Sequence, residues 1–95
     1  MITSDVHKLI KLLKVAPDAK LRNTLEDLQY NLDVFLNEDV YIEDFELNDK
    51  ASLFWISFFE QHKLIYISTQ EERILLTPKG EGLLMEINLL LFYVD

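Results

Sequence analysis

Two runs in this chain are apolar on nearly every side when wound as helices. In residues 50–62, Leu53, Phe54, Trp55, Ile56, Phe58 and Phe59 cover almost every direction, and only Ser57, Glu60 and Gln61 form a narrow polar strip. In residues 83–94 only Glu86, Asn88 and Tyr93 interrupt the apolar character. A helix with no polar face is buried or makes an interface. The chain has 95 residues, enough for one domain spanning 1–95 and one modest core. Two such helices exceed what that core can hide, so a second chain is expected to complete them.

The other elements follow from periodicity. Ser4 is a good N-cap, and Val6, Leu9, Ile10 and Leu13 share one helical face, with Lys8, Lys11 and Lys14 opposite. Leu12 and Val15 lie off that face. Ala16-Pro17 is expected to end this helix, with Pro17 in the first turn of the next. Leu21, Leu25, Leu28, Leu32, Phe35 and Leu36 then give the cleanest helical spacing in the chain, over about residues 18–36. Residues 40–47 alternate loosely and read as a short strand, or a strand followed by a helical turn. Asn48 or Asp49 caps the third helix. Residues 64–68 and 74–77 read as the two strands of a hairpin around a polar turn. Thr77 or Pro78 opens the last helix. The expected class is α+β and mostly helical, with four helices and a hairpin before the last.

Charge is unevenly placed. Seventeen acidic against nine basic residues give a formal net charge of −8. Residues 1–22 carry +3, residues 50–95 carry −2, and residues 23–49 carry nine acids and no base. Such a block repels phosphate and attracts cationic partners at long range. Within it, Glu38, Asp39, Glu43 and Asp44 form the candidate acidic face.

Several chemistries are disfavoured. Without cysteine there is no disulfide framework, thiol nucleophile or cysteine zinc site. His7 and His62 lack a second histidine at ligand spacing. Glu43-Asp44 and Glu71-Glu72 are adjacent pairs, and neighbours on a strand point to opposite faces. Asp39, Glu43 and Asp44 lack calcium-loop spacing, and Gly80-Glu81-Gly82 is too short to cradle a phosphate. The reading is a non-enzyme with no cofactor and no metal. No signal peptide is read at the N-terminus, and the longest apolar run is shorter than a bilayer requires. A cytoplasmic protein without membrane contact is expected.

The stretch Phe59-Glu60-Gln61-His62-Lys63-Leu64-Ile65-Tyr66-Ile67, then Gln70-Glu71-Glu72-Arg73, then Ile74-Leu75-Leu76-Thr77-Pro78-Lys79-Gly80-Glu81-Gly82-Leu83 resembles the C-terminal half of a winged-helix domain. The resemblance is to transcription regulators of the multiple-antibiotic-resistance-regulator and PadR-like kinds, and covers about a third of the chain. It implies a recognition helix, a β-hairpin wing and a final dimerisation helix. The string Leu76-Thr77-Pro78-Lys79-Gly80 is intact. Two departures stand out: Lys63 occupies a position usually held by glycine, and residues 40–49 leave room for only a stunted helix.

Three functional readings follow. The first is a small acidic winged-helix protein acting through protein–protein contacts, as a homodimer, in transcription regulation. Its expected contact residues are Trp55, Phe58 and Phe59 on the third helix and Leu90 and Leu91 on the last. The second is an acidic DNA mimic that blocks a nucleic-acid-binding protein, with a basic-surfaced partner. The third is a direct DNA-binding regulator using Lys50, Lys63 and Arg73. That surface offers few cations, and phosphate contacts normally dominate affinity, so the charge disfavours DNA.

Overall fold

The computed structural model describes residues 5–37 and 50–93. Within them lie four helices and one antiparallel hairpin: α1 (Asp5–Leu13), α2 (Leu21–Asn37), α3 (Lys50–Gln61), β1 (Ile65–Ser68), β2 (Arg73–Leu76) and α4 (Pro78–Tyr93). This is the mostly helical α+β arrangement expected, with the hairpin directly before the last helix. The strand expected in residues 40–47, and Glu38, Asp39, Glu43 and Asp44, lie outside the described residues.

The periodic faces pack as their spacing requires. Val6 and Leu9 bury the inner side of α1, while Lys8 and Lys11 on α1 and Lys14 just beyond it are exposed. Leu25, Leu28 and Leu32 are fully buried along α2, with Phe35 behind them. α2 lies against both α4 and β2, α1 against α4, and α3 against β1. Phe35 meets Phe59 edge to face, with ring centroids 6.5 Å apart, and so ties α2 to α3. One contiguous apolar core results.

The first interhelical connection departs from expectation. α1 ends at Leu13 and Lys14 takes a left-handed conformation with φ 54°. Pro17 and Asp18 occupy the middle of a tight turn closed by the Ala19 amide donating to the Ala16 carbonyl at 2.9 Å. Pro17 therefore serves the turn, where its fixed φ also fits, rather than the first turn of α2.

The junction of α3, the hairpin and α4 is the most constrained part. α3 ends in a Schellman motif. The Lys63 amide donates to the Glu60 carbonyl at 3.0 Å, and the Leu64 amide to the Phe59 carbonyl at 2.9 Å. Lys63 sits at the left-handed position with φ 62°. The accompanying apolar contact is between positions filled by Leu64 and Phe59, both buried. The strands pair Ile65 with Leu76 and Ser68 with Arg73, putting Ile65, Ile74 and Leu76 on the buried face. Thr77 then returns the chain to this turn. Its amide donates to the Leu64 carbonyl at 3.0 Å and its hydroxyl to the Lys63 carbonyl at 2.7 Å. The same Oγ1 accepts the Gly80 amide at 3.0 Å, capping the third residue of α4. Lys79 Nζ adds a bond to the His62 carbonyl at 3.2 Å. Gly80 has no room for a side chain: a Cβ there would overlap the Leu64 carbonyl oxygen and crowd Leu76.

Two substitutions test this junction by urea denaturation. Gly80→Ala should destabilise by about 2 kcal/mol, because overpacking against fixed backbone outweighs the better helix propensity of alanine. Lys63→Gly should stabilise by about 0.5–1 kcal/mol, since glycine adopts the left-handed conformation without Cβ strain. If Gly80→Ala stabilises instead, the close approach is not what holds α4 to the hairpin.

Candidate functional site: the outer face of the last helix

α4 has a buried face and an apolar outer face. Gly80, Leu83, Leu84 and Ile87 point into the core. Met85, Leu89 and Phe92 repeat at i, i+4 and i+7 on the opposite side, and Tyr93 follows. They are 69%, 59%, 88% and 79% exposed. Gly80 sets this phase. Because its missing side chain lets α4 approach Leu64, the residues three, four and seven positions further along must face inward.

α2 extends the apolar face sideways. Tyr30 is 73% exposed and lines an open groove between α2 and α4 together with Phe92, Asn88 and Leu91. Asn88 and Phe92 also border the apolar patch of Met85, Leu89 and Tyr93, so groove and patch are continuous. The two helices are clamped along this edge. Gln29 Nε2 donates to Asn88 Oδ1 at 2.6 Å. Arg22 donates to the Leu91 carbonyl at 3.1 Å, satisfying one of the carbonyls left over at the end of α4. Its guanidinium also pairs with Glu26 at 3.0 Å. Among the described residues, carboxylates dominate the groove wall, with Glu26, Asp27 and Asp33 against the cation Arg22.

The exposed apolar surface reaches the upper end of what a monomer ordinarily carries. At about 200 Å² per aromatic side chain, Tyr30, Phe92 and Tyr93 alone expose roughly 500 Å². Met85 and Leu89 add to it. The largest patch on an ordinary monomer is roughly 300–600 Å² and is often functional.

The contact residues expected on α3 are placed differently. Phe59 is fully buried and Phe58 nearly so, and Trp55 is half-buried against the core. Trp55 packs on Phe59 with centroids 5.3 Å apart, and Phe58 on His62 at 4.8 Å. Phe58 and Phe59 are core residues within the chain, since α3 turns this side toward β1 and toward Phe35 of α2. Among the described side chains of α3, Leu53 and Phe54 are exposed large apolar residues. On α4, Leu90 and Leu91 are half-buried and pack on the core, and their neighbours Leu89 and Phe92 are exposed.

The candidate phosphate contacts do not converge. Lys63 is exposed at the base of the hairpin and Arg73 is half-buried at its tip, paired with Ser68. A four-residue strand of about 3.3 Å per residue separates them. The Lys50 side chain lies outside the described set. Among the described residues, no helix is long and apolar enough to cross a membrane. No group of three or more His, Asp or Glu side chains there is arranged to hold a metal.

The two faces of α4 should respond differently to truncation. At nanomolar concentration, where self-association is negligible, Ile87→Ala should cost about 2–5 kcal/mol in urea denaturation. Met85→Ala should change stability by under about 0.5 kcal/mol. Equal losses would mean that the outer face is covered within the chain. Comparisons with protein-family models, curated proteins and solved structures find no match to this chain, so the functional reading rests on this face.

Proposed function

We propose that this is a cytoplasmic interaction protein that self-associates as a homodimer through the outer face of α4 and acts in transcription regulation. The apolar seam of Met85, Leu89, Phe92 and Tyr93, continued by Tyr30 on α2, carries the reading. Specific interfaces bury about 800 Å² per partner. This face supplies most of that area from five side chains, three of them aromatic. Aromatic residues and methionine are enriched in interfaces, and leucine suits the apolar centre. A two-fold pairing of the seam with itself would remove this surface from water in one step. The regulatory role is supported by the resemblance of residues 59–83 to a winged-helix half, in which the last helix pairs with its twin.

A second reading, an acidic mimic of nucleic acid, is favoured by the nine acids without a base in residues 23–49. It uses the charge and leaves the seam on α4 without a role. Direct DNA binding has less support, because Lys63 and Arg73 are apart and Glu71 and Glu72 flank Arg73.

Sedimentation equilibrium tests the first reading. The 11.2 kDa chain should sediment at twice its mass at micromolar concentration. Leu89→Glu and Phe92→Glu should each raise the dissociation constant about 100-fold or more, with the helical far-UV signal retained, since burying an unpaired carboxylate is costly. A wild-type chain that stays monomeric at about 100 μM would overturn the proposal.

A further inference from the structure

The groove between α2 and α4 and the outer side of α1 are complementary, yet they do not meet within one chain. Lys8, Lys11 and Lys14 follow one another at intervals of three residues and are all exposed. None of them forms an ion pair with another described residue. Leu12 and Val15, 55% and 41% exposed, lie beside them as apolar surface without cover. The groove offers the opposite chemistry: carboxylates of Glu26, Asp27 and Asp33 on one wall, with the Tyr30 and Phe92 rings at its lips. Arg22, the cation among its described lining residues, is committed to Glu26 and to the Leu91 carbonyl. The groove is open and about 1250 Å³ in volume. The nine residues of α1 make a helix about 13 Å long and about 10–12 Å across, so the side of α1 is of a size to lie along it.

Resting on the self-association reading, we infer that the basic side of α1 from one copy docks into the acidic groove of the other. The pairing is reciprocal about the two-fold axis. Lysine ammonium groups then meet the carboxylates of α2, the lysine stems cover Tyr30 and Phe92, and Leu12 covers apolar surface at the edge of the seam. Charge complementarity singles out this occupant. Pairing the seams without α1 would set the carboxylate walls of both copies beside each other, which is repulsive. Bringing in α1 converts that repulsion to attraction, and a two-fold axis forms both contacts at once. The Val6 and Leu9 side of α1 stays packed on its own chain, so docking requires no rearrangement of the fold.

The test is charge reversal with mixing, read by sedimentation equilibrium. One variant carries Lys8→Glu, Lys11→Glu and Lys14→Glu, and the other Glu26→Lys and Asp27→Lys. All five side chains are exposed, and far-UV circular dichroism checks that both variants fold. Each alone should dimerise about 10–100-fold more weakly than the wild type, while an equimolar mixture should recover a heterodimer within about threefold of wild-type affinity. Raising NaCl from about 50 to about 500 mM should weaken the wild-type dimer about tenfold by screening. A mixture that stays monomeric, reversals without effect, or a wild-type dimer that tightens with salt would each overturn the docking. These outcomes leave a dimeric wild type, and so the seam, standing. A wild type monomeric under all conditions removes the self-association reading itself.

Discussion

The backbone contact between the end of α3 and the start of α4 is the constraint on which the rest of the molecule depends. The Leu64 carbonyl accepts the Thr77 amide and lies directly under Gly80. The Thr77 hydroxyl bridges the Lys63 carbonyl and the Gly80 amide. One residue thus closes the hairpin at its base, caps α4 and ties it to the last turn of α3. The direction and rotation of α4 are fixed there. Everything further along the helix, including which apolar residues reach solvent, follows from that start.

The rotation of α4 decides the function proposed for it. A helix apolar on all sides can sit in its fold in several phases without exposing a charge. The close approach at Gly80 selects one phase, with Leu83, Leu84 and Ile87 inward and Met85, Leu89 and Phe92 outward. Clamps from α2, through Gln29 to Asn88 and Arg22 to the Leu91 carbonyl, hold the far end in the same phase. The outward residues stay hydrated in the single chain, so covering them would be favourable. A second copy is the partner always present at equal concentration.

Much of the fold was legible in the residues. α1 and α2 follow from leucine and valine spacing, and the hairpin and α4 from the Leu76-Thr77-Pro78-Lys79-Gly80 string. Pro17 is ambiguous in sequence because its ring suits both a helix start and the second position of a turn. The contact residues were harder to read. In an all-apolar run the hydrophobic pattern carries no phase, so Leu90 and Leu91 could not be told from Leu89 and Phe92 by periodicity. Glycine alone does not supply the phase, because Gly80 and Gly82 both open the helix and only the packing shows that Gly80 is the buried one. Phe58 and Phe59 were ambiguous for the same reason, and only the packing of α3 on β1 resolves them as core. Lys63, singled out as a departure from glycine, is the left-handed cap residue of α3, which explains why glycine suits that position.

The central claim is that the outward face of α4 meets the same face of a second copy. The most direct measurement is an isotope-filtered nuclear Overhauser spectrum on an equimolar mixture of labelled and unlabelled chain. Pairing of the two seams should give intermolecular signals from the Met85 methyl and the Leu89 methyls to the Phe92 ring. Their absence from a sample that sediments as a dimer, with intermolecular signals instead at Leu53 and Phe54, would contradict it.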